Sequence, residues 1–376
     1  MTAPDFLTPM HEALALAAQS VGLTEPNPRV GCVIVAPDGR VIGRGRTQQA
    51  GGPHAEVMAL RDAESRHEIV HGATAYVTLE PCAHHGRTPP CCDALIAARL
   101  GRVVMALEDP FPQVAGQGAA RLRAAGIAVD EGLLADEARE LNIGFFSRIV
   151  RGRPWVRLKV AVSLDGRTAL NNGVSQWITG PAARTDGHAW RRRASAVLTG
   201  VGTVHDDDPR LDVRLVDTPR QPLRVVVDSR LETPLTARLL DPPGAVLIYA
   251  AQPDDARQAA LQARGAEIAF APGAGGKVDL VAMLADLARR GINELHVEAG
   301  HKLNGSLVRE DLVDEFLVYM APRLLGTGRE LAAFGPLERL EDTLDLRYLS
   351  VERIGDDLRL IARPPAANAS DAQATA

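Results

Sequence analysis

One pattern limits what this chain can fold into more than any other. His54-Ala55-Glu56 is followed at a distance by Pro81-Cys82 and then by Pro90-Cys91-Cys92. An imidazole and thiols from separate segments are useful together only if the fold draws them to one point. Zinc binds both donor types, and a catalytic zinc site holds three protein ligands while the fourth position is left for water. Bound zinc lowers the pKa of that water toward neutrality. Glu56 stands two residues from His54, so on a regular helix it points in another direction. It is better placed to move protons than to bind metal.

The cysteines' surroundings support metal rather than disulfide chemistry. There are four of them, Cys32, Cys82, Cys91 and Cys92. The first nine residues lack the basic start and apolar run of a secretory signal. No stretch has the apolar length a membrane span needs. The expected compartment is the cytoplasm, where clustered cysteines are metal-binding or catalytic more often than disulfide-bonded. A net charge of −5 offers no basic nucleic-acid surface, and 4% aromatic residues advertise no stacking platform. No nucleic-acid partner and no membrane partner are expected; a homo-oligomer is.

A length of 376 residues gives two domains as a prior. Helical patterns are predicted over 10–21, 53–64, 93–99, 119–125 and, as one long helix, 135–149. Strands are predicted at 31–35, 41–42, 74–79, 102–106 and 127–129, with Asp38-Gly39 as a hairpin turn. This alternation predicts an α/β layer fold with helices on both faces of a sheet. Cys32, inside the first strand, reads as core packing. Residues 151–154 read as a junction between a first domain, 1–150, and a second, 154–363. The second repeats the α/β pattern, with strands at 155–161, 196–198, 223–227, 245–249, 294–297 and 315–319 and helices near 181–193, 254–264 and 279–290. The tail, 364–376, is poor in large apolar residues and is expected to be disordered.

The spacing of the cysteines is unusual. Zinc deaminases carry His-x-Glu followed by Pro-Cys-x-x-Cys, whereas eight residues here separate Cys82 from Cys91. The inserted loop holds His84, His85, Arg87 and Thr88, donors suited to a polar or phosphorylated substrate. On spacing alone the third ligand is Cys91 or Cys92, with Cys91 favoured because a helix N-terminus stabilises thiolate. A closed structural zinc, with Cys92 or a loop histidine as fourth ligand, is the plainer alternative.

Pro26-Asn27-Pro28, His54-Ala55-Glu56, Pro81-Cys82 through Pro90-Cys91, Asp109-Pro110 and Val114-Ala115-Gly116 resemble the deaminase half of the bifunctional riboflavin-biosynthesis deaminase/reductases. The resemblance implies a cytidine-deaminase-like fold, Zn2+ held by His54, Cys82 and Cys91, and Glu56 as the catalytic acid/base. It also implies a small pyrimidine carrying a ribose phosphate as substrate, met by Asn27, His84 and Arg87.

The second half has no Rossmann fingerprint. Residues 271–278 imitate a P-loop, but Ala271 stands where the first glycine belongs and Val278 replaces Ser/Thr. Two strand-to-glycine turns fit a phosphate-bearing ligand better: Leu198-Thr199-Gly200-Val201-Gly202-Thr203 and Val297-Glu298-Ala299-Gly300-His301-Lys302. The resemblance continues here through Lys159, Ser163-Leu164-Asp165-Gly166-Arg167, Ser175-Gln176-Trp177, Asp207-Asp208-Pro209 and Glu298-Ala299-Gly300. It implies a dihydrofolate-reductase-like fold that uses NADPH to reduce a ribosylamino to a ribitylamino group. By that resemblance Ala161, Trp177, Thr179, Thr203, Ser229 and the turn Gly300, His301, Lys302, Leu303, Asn304, Gly305 and Ser306 meet the cofactor. Lys159, Ser175, Arg191, Leu211, Arg214 and Glu298 meet the substrate, and Asp207 meets one or the other. A nucleoside or nucleic-acid deaminase fused to a reductase-like domain, or a structural zinc module on a reductase, are the rival readings.

Overall fold

The structure is a computed structural model that describes residues 7–84, 89–112 and 114–365. Arg87 and the rest of 85–88, and the tail from 366 onward, lie outside the described residues. The chain divides into two compact units, Met1–Arg153 with Ala288–Asn293 and Pro154–Leu287 with Glu294–Ala376.

The first unit is a five-stranded sheet flanked by helices. Its strands are β1 (Gly31–Val35), β2 (Val41–Arg46), β3 (Thr74–Val77), β4 (Arg102–Met105) and β5 (Ala128–Glu131), in spatial order β2-β1-β3-β4-β5. β1 runs antiparallel to both neighbours, and β3, β4 and β5 run parallel. The helices are α1 (Leu7–Ala18), α2 (Ala55–Ser65), α3 (Cys91–Ala97), α4 (Gln117–Ala124), α5 (Ala135–Leu141) and α6 (Ile143–Arg151). Three strand glycines let helices approach without intervening side chains. A Cβ on Gly31 would lie 1.8 Å from the carbonyl oxygen of Ala13 in α1, and one on Gly45 would lie 2.1 Å from that of Ala55 in α2. Gly43 abuts Ala59 of α2 in the same way. Because successive strand residues point to opposite faces, these contacts put α1 and α2 on opposite faces of the sheet. Cys32 is fully buried in the core, as its strand position predicts.

The long helix predicted over 135–149 is broken. Asn142 leaves helical geometry at φ −111°, ψ 20°. Its side chain accepts the Arg29 N–H at 2.8 Å and donates to the Arg29 carbonyl at 2.9 Å, a tertiary pairing that overrides helix propensity.

The second unit holds β6 (Trp155–Ser163), β7 (Arg167–Leu170), β8 (Ala196–Gly200), β9 (Leu223–Val227), β10 (Val246–Ala250), β11 (Ala266–Phe270), β12 (Glu294–Val297), β13 (Glu315–Ala321), β14 (Gly328–Glu330), β15 (Arg347–Ile354) and β16 (Asp357–Arg363). Its helices are α7 (Pro181–Arg193), α8 (Val201–Asp207), α9 (Asp255–Ala263), α10 (Leu280–Arg289) and α11 (His301–Arg309). Nine strands form one sheet in the order β11-β10-β9-β8-β12-β6-β13-β16-β15, and β7 pairs with β14 separately. From β11 to β13 all neighbours are parallel, and β16 and β15 close the edge antiparallel. The carboxyl ends of β9, β8, β12 and β6 therefore lie along one side of the sheet, where α/β folds take ligands.

Candidate active sites

In the first unit, each site residue sits at an element's end. His54 occupies the N-cap of α2 in extended conformation, and Glu56 lies in that helix's first turn. Cys82 follows β3 after Pro81, and Cys91 opens α3 behind Pro90. The fold brings one ligand atom from each of His54, Cys82 and Cys91 within 4.8 Å of the others. His54 Nδ1 stands 3.6 Å from Cys82 Sγ and 3.3 Å from Cys91 Sγ, and the Cys91 backbone N–H donates to Cys82 Sγ at 3.3 Å. Cys92 is turned away: its thiol donates to the carbonyl of Pro81 at 3.1 Å and approaches that of Gly118 at 3.6 Å. Among the described residues no fourth metal-ligating side chain joins the three. That donor set fits a zinc ion with one open position.

The electrostatics agree with a metal centre. Hydrogen bonding from Cys91, with His54 beside it, holds the Cys82 thiol down at about 4, whereas its bond to Cys82 and burial push Cys91 up. Burial pushes Cys92 up to about 12 and Glu56 up to about 7. A cavity of about 530 Å³ opens over the cluster. Its lining includes Asn27, His54, Glu56, Cys82 and His84, and also Glu80, Asp109 and Phe111, which sequence reasoning did not single out as site residues. For Glu80 a signal was available, since it directly precedes Pro81-Cys82.

In the second unit the sequence's two glycine turns are neighbours. Gly200 ends β8 and Gly300 caps α11 after β12. A Cβ on Gly200 would touch Leu303 at 3.3 Å, and one on Gly300 would lie 3.4 Å from Thr203 Oγ1. Val201 to Thr203, expected as a turn, starts α8. Ser229 follows β9, the strand on the far side of β8, and its hydroxyl accepts the Val278 N–H at 3.2 Å. Bare backbone at two adjacent strand ends suits the phosphates of a dinucleotide. Ala161 lies on β6 two residues beyond Lys159, so both face one side of the sheet. Trp177 is exposed, with the Arg184 guanidinium 4.7 Å over its ring, and Arg184 also donates to the Thr179 carbonyl at 2.8 Å. Asn304 donates to the Leu331 carbonyl at 2.9 Å, and Ser306 to that of Lys302 at 3.3 Å.

Glu298 is the charged hub of this unit. Arg191 grips it with two bonds, 2.5 and 2.9 Å, Lys159 stands 3.8 Å away and His296 3.4 Å. Burial pushes its carboxyl up, but the charges of Arg191 and Lys159 outweigh that and hold it well below the usual range. Arg214 pairs with Asp212 at 2.6 Å, and Leu211 is buried at φ 54°. The three aspartates divide their work. Ser175 donates to Asp207 at 3.0 Å, Asp206 pairs with Arg329 at 2.7 Å, and Asp208 pairs with Arg238 at 3.0 Å.

A His-Cys-Cys cluster in one unit and glycine turns at parallel strand ends in the other fit a zinc-dependent deaminase joined to a reductase. Residues 7–107 match the cytidine and deoxycytidylate deaminase zinc-binding region, and 154–360 match the RibD C-terminal domain. The riboflavin biosynthesis protein RibD of Escherichia coli is 46% identical over 93% of this chain and 97% of its own length. Form 1 of Acinetobacter baumannii RibD is 42% identical with a TM-score of 0.87, covering 95% of this chain and 98% of that one. A diaminohydroxyphosphoribosylaminopyrimidine deaminase/5-amino-6-(5-phosphoribosylamino)uracil reductase from Thermotoga maritima is 34% identical at a TM-score of 0.85, covering 95% and 98%. The chain belongs to the RibD family of riboflavin-biosynthesis enzymes. It is a bifunctional hydrolase and oxidoreductase that uses Zn2+ and NADPH, and the expected order holds: a cytidine-deaminase-like domain, then a dihydrofolate-reductase-like one. None of its described helices is long and apolar enough to cross a membrane.

Proposed function

We propose that the two units act in succession on one small molecule. Residues 1–150 deaminate 2,5-diamino-6-(5-phosphoribosylamino)pyrimidin-4-one, and residues 154–363 reduce the ribosyl group of the product to ribityl. The observation that carries this reading is Glu56, only 3% exposed and facing the same cavity as His54 and Cys82. His54, Cys82 and Cys91 hold the zinc, which when bound supplies the Lewis acidity that lets water attack near neutral pH. Glu56, poised near neutrality by burial, takes a proton from the attacking water and returns it to the departing amine as ammonia leaves. Asn27 and His84, on the cavity wall, meet the pyrimidine and its ribose phosphate, and the family resemblance adds Arg87 to them.

In the second unit Ala161, Trp177, Thr179, Thr203, Ser229 and Gly300–Ser306 meet NADPH, which supplies the hydride. Lys159, 3.8 Å from Glu298, steadies the opened sugar. Ser175, Arg191, Leu211, Arg214 and Glu298 complete the substrate side, with Asp207 held there by Ser175. The protein works in the cytoplasm as a homo-oligomer, and its net charge of −5 speaks against a nucleic-acid partner.

Glu56→Gln tests the deaminase assignment. Zinc content and reduction of the pre-deaminated ribotide stay at the wild-type level, while ammonia release falls by roughly 10²–10⁴-fold. Unimpaired ammonia release with zinc retained, or wild-type turnover of cytidine or single-stranded DNA in preference to the ribotide, overturns it.

A further inference from the structure

Glu80 is a buried carboxylate with no part in the chemistry above. It is 4% exposed, and its backbone N–H donates to the Leu107 carbonyl at 2.8 Å. Its side chain reaches across to a different segment. Oε2 accepts the backbone N–H of Asp109 at 3.1 Å and of Gly116 at 3.0 Å, and Oε1 accepts that of Ala119 at 3.1 Å. Gly116 is the N-cap of α4, with φ 73°. The carboxylate therefore closes the start of that helix and ties down Asp109. Asp109, Phe111 and Val114 line the cavity over the metal cluster.

The same strand end carries the ligands. Pro81 and Cys82 directly follow Glu80, and α4 lies on them so closely that a Cβ on Gly118 would stand 2.1 Å from the Pro81 carbonyl oxygen. One side chain thus joins the segment that presents Cys82 to the segment that brings Asp109, Phe111 and Val114 to the cavity. No neutral isostere repeats this. In glutamine one oxygen becomes an NH2 group, which would face a backbone N–H, donor against donor. Leaving a buried donor unpaired costs more than an average hydrogen bond contributes.

We infer that Glu80 is a positioning residue of the deaminase reaction, fixing the wall residues Asp109, Phe111 and Val114 over the bound pyrimidine ribotide. This rests on the deaminase reading of the first unit. The effect falls on substrate binding, because Glu80 holds the wall and not the proton-transfer group Glu56.

The test is Glu80→Gln in the full-length, zinc-loaded protein, assayed for ammonia release from the ribotide, for NADPH oxidation with the pre-deaminated ribotide, and for amide hydrogen exchange. The expected result is a KM for ammonia release raised about tenfold or more, with kcat within about threefold. Zinc content and reductase activity stay unchanged, and amide protection is lost at Asp109, Gly116 and Ala119. Glu80→Asp keeps the charge one methylene short and should fall between Gln and wild type. An unchanged KM in Glu80→Gln overturns the inference, as does loss of zinc with amide protection intact. If both variants lose the cooperative unfolding of the first unit, Glu80 is a core residue and the inference is again overturned. Failure of the deaminase reading is separate, since wild type itself would then release no ammonia from the ribotide.

Discussion

Burial moves Glu56 and His188 to opposite ends of their ranges for the same reason: each is driven toward its neutral form. The Glu56 carboxyl rises to about 7. His188, in α7, is pushed down to about 4 by burial and by the charges of Arg191 and Arg214, with Glu298 and Asp212 pulling the other way. Its neutral ring has a task, since Nδ1 accepts the Arg214 N–H at 3.2 Å. The folded pKa lies below the unfolded value, so between these pH values the unfolded chain binds the extra proton. Stability of the second unit should therefore fall as pH drops from about 6.5 toward about 4. His188→Asn should flatten that part of the curve, as urea unfolding across this pH range will show. At this scale the sequence was readable where chemistry is rare. A histidine, a glutamate and paired Pro-Cys steps stand out in any chain. Choosing between Cys91 and Cys92 needed more than spacing, because a single residue of offset swings a thiol from the cluster to the Pro81 carbonyl. Glu80 stood beside Pro81-Cys82, but its role escaped notice because its partners are backbone N–H groups, which side-chain identities do not record.

Elements carry these residues to their places, and the helix that bears His54 and Glu56 does so by pressing on bare strand backbone. Gly45→Ala would force its new methyl group against the Ala55 carbonyl, one residue from His54. Overpacking of this kind costs about 1–3 kcal/mol. Gly45→Ala should lower the melting temperature of the first unit and also weaken zinc retention. Gly31→Ala, which collides with α1 instead, should lower the melting temperature with less effect on zinc. Calorimetry alongside metal analysis of both variants checks this. Most strands and helices were legible because their apolar periods were intact. Two kinds were not. The 135–149 stretch has a helical composition throughout, and only the pairing of Asn142 with Arg29 ends the first helix. β15 and β16 form the antiparallel edge of the large sheet, and β15 is mostly exposed along its length, so no alternation marks it.

At the scale of the whole molecule, the metal-ligand cluster found among the described residues lies in the first unit, and the nine-stranded sheet with its glycine turns lies in the second. Metal removal should therefore divide the two activities. A strong zinc chelator should abolish ammonia release from the ribotide while leaving NADPH oxidation with pre-deaminated ribotide at no less than about half the untreated rate, and restored Zn2+ should bring ammonia release back. Parallel loss of both activities would contradict this division. The bipartite plan was readable from length and from the polar junction at 151–154, but the strand order of the second unit was not, because nothing local records which strands become neighbours.

That order has a consequence for how the polypeptide is born. β12, residues Glu294–Val297, lies between β8 and β6, which are made about a hundred or more residues earlier. While the ribosome is still extending the chain, those two strands await the one that separates them, and unpaired strand edges of this kind favour aggregation. The reductase half thus cannot complete its sheet until β12 has left the ribosome.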